Sequence, residues 1–426
     1  MDWIAPLFVV AVVVGSLLRL WLSARQVAAV TAHREQVPEP FADSIPLADH
    51  HKAADYTIAK VRLSRLAVVL EAAIAVALTL GGGIAFIDAL WARVGLPQPW
   101  HGGGVILTVL CAVWLVELPL TLWSTFVLEA RFGFNRMTPG LFVADLAKSA
   151  LLAVLIGGPV VLGALYLMQH AGTLWWIWAW CGWLALTLLM TWAWPAFIAP
   201  LFNRFVPLEE GELKGRIESL LERCGFRSQG VFVVDGSRRS AHGNAYFTGI
   251  GRHKRIVFFD TLMARLAHTE IEAVLAHELG HFRLGHVRLR LALMVVVSFM
   301  GLALLGWLAA APSFYTSLGV PHASTHAALL LFVYVTPAFM FFLTPLGALW
   351  SRGHEFAADE FAMRNANADE LASALVKLYR DNASTLTPDR VYSRFYYSHP
   401  PALERIGRLR QAGALNAPAT PRAAPV

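Results

Sequence analysis

The chain has 426 residues, of which 57% are hydrophobic and only 15% charged. Soluble domains carry about 25% charged residues. The deficit falls in long apolar runs, which excludes one large soluble core and points to a multi-span membrane protein. The formal charge of +6 fits arginine- and lysine-rich loops on one membrane face rather than a nucleic-acid partner, and Cys111, Cys181 and Cys224 are too scattered for a disulfide or metal pattern.

The first apolar run covers residues 3–22, with Asp2 before it and Arg19 and Arg25 at its far end. A signal peptide has the opposite polarity, so a retained span with its N-terminus outside is predicted. Residues 23–65 are polar, with Pro38 and Pro40 and a stretch from Lys52 to Arg65 that suits a helix. Further spans are predicted at about 66–90, 105–127, 149–168 and 173–197. Gly81, Gly82 and Gly83 soften the second, and tryptophans crowd the fifth. Residues 128–148 read as a charged loop.

The character changes after residue 200. Residues 201–288 are polar enough for a small folded unit, with an amphipathic helix from Glu209 to Cys224. Strands are predicted over 230–235, 244–249 and 255–259, with Arg252-His253-Lys254 as a hairpin connection. Two more spans follow at about 289–311 and 326–350, then a largely helical segment, 351–410, and a Pro- and Ala-rich tail, 411–426, that reads as disordered. With seven spans, the outer loops are about 91–104, 169–172 and 312–325, and their only Lys or Arg is Arg93. This asymmetry places residues 201–288 and 351–426 on the cytoplasmic side.

Residues 269–286 read T-E-I-E-A-V-L-A-H-E-L-G-H-F-R-L-G-H. Thr269 and Glu272 have capping-box spacing, and Val274, Leu275, Leu279 and Phe282 form a helical apolar stripe. On that helix His277 and His281 share one face and can hold one zinc ion. Glu278, beside the first, can take a proton from the attacking water. The bland alternative is a polar helical face whose histidines bond to backbone.

A catalytic zinc usually takes three protein ligands. Spans six and seven form an out-and-back pair, so the chain returns near this helix at Arg352-Gly353-His354-Glu355-Phe356-Ala357-Ala358-Asp359. Glu355 is placed to be the third ligand. Asp359, one turn on, can accept the free N–H of a ligating histidine. His354 points about 100° away and is a weaker candidate. His286, nine residues from His277, falls on the opposite side of a straight helix. His242, His253 and His268 read as ordinary loop or helix-end histidines.

Several separated segments resemble the CAAX prenyl protease type 1 group of integral-membrane zinc metalloproteases, peptidase family M48. They are residues 52–57 (KAADYT), 129–135 (EARFGFN), 200–203 (PLFN), 239–247 (RSAHGNAYF), 277–281, 352–359 and 398–405 (SHPPALER). The resemblance implies seven membrane helices around a chamber, a zincin-like α+β metalloprotease domain facing the cytoplasm, and one Zn2+. It implies zinc ligation by His277, His281 and Glu355, Glu278 as the catalytic carboxylate and Asp359 as its neighbour's support. It also implies that His399 and Arg405 face the active site and that Asn244, Ala245 and Tyr246 line a substrate-binding edge.

The expected chemistry is peptide hydrolysis with Glu278 as general base and His399 or Arg405 as a donor to the oxyanion. Arg405 can alternatively hold a substrate carboxylate. Substrates are peptides or proteins, lipidated or membrane-embedded. The Ala- and Arg-rich composition and the lack of a retention signal suggest a bacterial inner membrane. Rival readings are a quality-control peptidase without prenyl specificity, a transporter using Glu71, Asp88 and Glu117, and a non-catalytic scaffold.

Overall fold

The computed structural model describes residues 3–226, 228, 230–248 and 255–416. The expected turn at Arg252-His253-Lys254 and the tail beyond Asn416 lie outside the described residues.

Helix α1 (Ile4–Ala32) is 29 residues long, more than a bilayer core requires. Helix α2 (Leu47–Leu78) is continuous, so the polar helix expected from Lys52 and the first half of the second span are one element. The chain breaks where Gly82 adopts φ +74°, and α3 (Gly83–Ala92) leaves at a 50° bend. Helix α4 (Trp100–Trp123) runs on through a π segment, Ser124–Glu129.

The fourth span starts earlier than expected. Helix α5 (Pro139–Leu152), a π segment (Ala153–Gly157) and α6 (Gly158–His170) form one rod. Thr138 Oγ1 accepts the Leu141 N–H at 3.2 Å and Pro139 fills the first helical position. Within α5, Arg239 grips the Asp145 carboxylate with bonds of 2.8 and 3.0 Å. Pro159 would clash with the Leu155 carbonyl in a regular helix, and the wider π turn relieves that. Helix α7 (Trp175–Ala193) continues through Trp194–Ile198 into α8 (Ala199–Phe202).

The polar unit begins with β1 (Phe205–Pro207), too short to read from sequence, and α9 (Glu212–Arg223). Strands β2 (Val231–Val234), β3 (Ala245–Thr248) and β4 (Arg255–Phe259) complete a sheet of order β1-β2-β4-β3. β2 and β4 are parallel and the other pairs antiparallel, so β3 is an edge. Helices α10 (Asp260–Met263) and α11 (His268–Arg283) follow. The chain re-enters the bundle through α12 (His286–Ala309), α13 (Pro312–Thr316) and α14 (Thr325–Met340). A 3-10 turn, Phe341–Leu343, links α14 directly to α15 (Thr344–Asn365), so the last span extends into the polar unit. Helices α16 (Ala368–Asp381), α17 (Arg390–Tyr396) and α18 (Ala402–Asn416) close it.

Among the described residues, six helical stretches can cross a membrane by length and composition, and the bent α2–α3 pair makes a seventh if it counts as one span. Among the described residues, the two larger cores sit at opposite ends of the bundle. One joins Ile217 and Leu220 of α9, Ile256 and Phe258 of β4, Leu275 and Leu279 of α11, Leu375 of α16 and Ile406 of α18. The other joins the start of α1 and α4 to the end of α12 through Phe8, Ile84, Val105, Leu305, Phe314 and Leu331.

Candidate metal centre

Helix α11 starts one residue before the expected Thr269, and its capping differs from the expected box. Ala267 has no side-chain acceptor, but Glu270 Oε2 accepts its N–H at 2.7 Å. The Glu270 carboxylate also takes Ser373 Oγ and Lys377 Nζ, each at 2.7 Å, fastening α11 to α16. Thr269 instead donates to Glu370, and Glu272 pairs with Arg216 and Arg223. The middle of α11 lies against α15 at Gly280. A β-carbon there would sit 3.0 Å from Ala358 Cα and 3.1 Å from Phe361 Cβ. Absence of that carbon lets the two helices approach closely.

The approach brings three groups to one point. His281 Nε2 lies 3.3 Å from His277 Nε2 and 3.3 Å from Glu355 Oε1, and Glu355 Oε2 lies 3.5 Å from His277 Nε2. His277 and Glu355 are buried. Two imidazole nitrogens and a carboxylate, all within 4.8 Å of one another, are a donor set that fits a borderline divalent ion. Glu278 is half-buried beside them, and its carboxylate has no hydrogen bond or ion pair among the described residues.

A second ring of contacts orients these donors. Asp359 Oδ1 lies 2.8 Å from His277 Nδ1, which fixes Nδ1 as the donor and leaves Nε2 free to ligate. Burial and Arg405 lower the affinity of His277 for a proton, but Asp359 and Glu355 outweigh them and raise its pKa. The same carboxylates attract any positive charge at this point. Arg405 is buried, and its Nε and Nη2 bind the two Asp359 oxygens at 2.7 Å each. Nη2 is also 3.1 and 3.2 Å from the two His277 ring nitrogens. Two of the Arg405 nitrogens are therefore already committed to Asp359. His399 Nδ1 meets Glu355 Oε2 at 2.6 Å, while its ring remains 64% exposed and borders a cavity of about 700 Å³.

Two histidines read differently in three dimensions. His286 is not across the helix from the metal donors. Helix α11 ends at Arg283, Gly285 takes φ +75°, and α12 restarts at His286. His286 Nδ1 thereby reaches His281 Nδ1 at 3.0 Å, and its ring stacks on His354 at 4.0 Å. The glycine at a helix C-terminus was the available sign that the straight-helix extrapolation fails. His242 is not an ordinary loop residue. It stacks on Phe134 at 4.2 Å and meets Glu129 Oε2 at 3.4 Å and Asn382 Oδ1 at 3.2 Å, while Tyr56 donates to Glu129 at 2.6 Å. The segments around Tyr56, Glu129 and His242 thus form one brace between the bundle and the polar unit. His268, by contrast, is an exposed helix-end residue near Glu212, and His253 lies outside the described residues.

Among the described residues, no strand pairs with the outer side of β3. Phe259 N–H donates to Asn244 O, so Asn244 and Tyr246 aim their backbone groups at β4. Ala245 and Phe247 aim theirs at the free edge, where Asn244 Oδ1 accepts the Ala245 N–H at 2.8 Å. The Phe247 ring packs on Phe282, next to His281, which puts this edge beside the metal helix. Of the acidic residues in the spans, Glu71 pairs with Arg19 at 2.9 Å and Glu117 lines the same cavity of about 410 Å³. Asp88 pairs with His101 and His326.

A multi-span bundle carrying an HExxH helix, with a glutamate from a second helix closing the donor set, defines a membrane-embedded metalloendopeptidase. Residues 26–204 match the family model for the CAAX prenyl protease N-terminal region with five membrane helices, and residues 207–412 match peptidase family M48. The chain is 35% identical over 410 residues to CAAX prenyl protease 1 of Saccharomyces cerevisiae, covering 88% of each. It is 38% identical over 299 residues to the CAAX prenyl protease 1 homolog of Oryza sativa subsp. japonica, covering 70% of each. The crystal structure of S. mikatae Ste24p superposes with a TM-score of 0.86 at 31% identity, over 96% of this chain and 98% of that one. The chain belongs to the CAAX prenyl protease type 1 group of peptidase family M48.

Proposed function

We propose that the resident ion is zinc, held by His277, His281 and Glu355, and that Glu278 is the general base of peptide hydrolysis. The observation that carries this reading is the convergence of the two Nε2 atoms and the Glu355 carboxylate beside Glu278, which has no partner among the described residues. When bound, zinc acidifies a water molecule and polarises the peptide carbonyl. Glu278 takes the water's proton and passes it to the leaving amine nitrogen. Asp359 keeps His277 in the ligating tautomer, and Arg405 holds Asp359 in place. His399 stands at the cavity with Nδ1 donating to Glu355, and when doubly protonated its ring can also donate from Nε2 to the oxyanion. The free edge at Ala245, with Asn244 and Tyr246 around it, pairs with an extended substrate.

The charge asymmetry of the loops supports a cytoplasmic active site and an outer N-terminus. The composition suggests a bacterial inner membrane, although the rice and yeast relatives are eukaryotic. The relatives' names speak of prenylated CAAX proteins, and we take a lipidated or membrane-embedded peptide as the substrate class. Trapping substrate on a Glu278→Gln protein and identifying the peptides by mass spectrometry tests this. A recurring C-terminal pattern supports processing, and a broad set from damaged membrane proteins supports a quality-control peptidase. Full turnover by clean Glu278→Gln protein removes the general-base assignment.

A further inference from the structure

A second group of converging donors lies at the far end of the bundle. Asp88 of α3, His101 of α4 and His326 of α14 offer ligand atoms all within 4.8 Å of one another. Asp88 Oδ1 is 2.7 Å from His101 Nε2 and 3.0 Å from His326 Nε2. Ser324 Oγ, which caps α14, lies 3.0 Å from the same His326 nitrogen. His101 and His326 each begin a helix whose other end leads toward the polar unit, so this cluster sits across the membrane from the HExxH helix.

We propose that Asp88, His101 and His326 bind one divalent first-row transition-metal ion, such as zinc, as a structural clip. Three observations favour an ion over a plain hydrogen-bonded triad. Two imidazoles aim the same nitrogen, Nε2, at one carboxylate oxygen, which gathers two nitrogens and an oxygen as such ions prefer. Asp88 has no lysine or arginine partner among the described residues, so its charge lacks a fixed counter-ion. His326 is 2% exposed and its Nδ1 has no hydrogen-bond partner among the described residues, so its burial is only half compensated. The Asp88 and His101 side chains are 32% and 13% exposed, which leaves a solvent side for a water ligand.

The ion ties α3, α4 and α14 where the other core closes the bundle, and it takes no part in hydrolysis. The test is metal content of the purified full chain in detergent after loading with zinc and gel filtration. Asp88→Asn and His101→Gln are each expected to lower bound zinc by about one equivalent per chain and to leave peptidase activity intact. The difference between chains is read, not the total, so the result stands whatever occupies the HExxH site. If either variant fails to fold, zinc-edge anomalous diffraction of the unmodified chain replaces it. A peak between Asp88, His101 and His326 is expected. Unchanged zinc content in both variants, or no anomalous peak there, overturns the proposal.

Discussion

The Nδ1 atoms of His281 and His286 lie 3.0 Å apart. If His281 ligates through Nε2, its Nδ1 carries the hydrogen and donates it, so His286 must accept on a bare Nδ1. Most ligating histidines lean on a carboxylate or a carbonyl; here a neutral ring takes that place. His286→Ala removes the acceptor and leaves the part-buried His281 N–H without that partner. The expected loss is about 10–100-fold in metal affinity, read by competition with a chelating dye. Excess zinc should restore activity. Unchanged affinity would show that the contact between the rings does not orient His281.

Gly280 sits where two helices nearly touch, with Ala358 Cα 3.0 Å from the β-carbon that alanine would add. Neither neighbour is the end of a flexible side chain, so α11 and α15 must part. Gly280→Ala should cost about 1–3 kcal/mol and should loosen metal, because Glu355 and His281 lie on the two separated helices. Thermal melting and zinc content should fall together. A stable protein with full zinc would mean the interface absorbs the carbon elsewhere.

Arg405 is 5% exposed and forks onto Asp359. Burial works against its charge, and Asp359 more than offsets that, raising its pKa. Arg405→Ala strips the buried Asp359 carboxylate of its charged partner and leaves it only His277 Nδ1; breaking a buried pair typically costs about 3–5 kcal/mol. Arg405→Lys should rescue poorly, since an ammonium cannot reproduce the fork. A positioning role predicts lost zinc and lowered kcat. A rise in KM alone, with zinc retained, would instead make Arg405 a substrate ligand.

Glu270 ties the start of α11 to α16. Burial pushes its carboxyl pKa up, but Lys377, Ser373 and the Ala267 amide outweigh that and hold it below the usual range. A depressed carboxyl pKa adds stability that is present above the unfolded value of about 4.3 and is lost as pH falls through the folded value. Melting temperature should therefore drop on acidification below that point. Glu270→Gln should melt lower at neutral pH and lose part of this acid sensitivity. An identical pH profile in the variant would remove Glu270 from the account.

Much of this was legible in the chain. The HExxH spacing and the four-residue step from Glu355 to Asp359 are local, so a helix places them without tertiary knowledge. The out-and-back topology of the last two spans foretold that the segments meet. What sequence hid was any feature set by a break or by a distant partner. His286 depended on the restart after Gly285. The ion pair of Asp145 with Arg239 joins residues far apart in the chain, and no local pattern announces it. His242 gained its role from Phe134, Glu129 and Asn382, contributed by three separate elements.

The substrate edge makes the last test. The ladder to β4 uses the backbone of Asn244 and Tyr246, so proline at Ala245 removes an outward amide and spares the sheet. Asn244 Oδ1 now accepts that amide, as a substrate carbonyl would after the side chain swings aside. Ala245→Pro should keep zinc content and melting temperature. Its KM for an extended peptide should rise by about tenfold, the worth of one to two kcal/mol of lost hydrogen bonding. An ester or amide too short to reach β3 should be cleaved at the unmodified rate. If KM for the long peptide stays fixed, the peptide does not add to this strand, and the neighbourhood of Asn244 serves only to brace the sheet against α11.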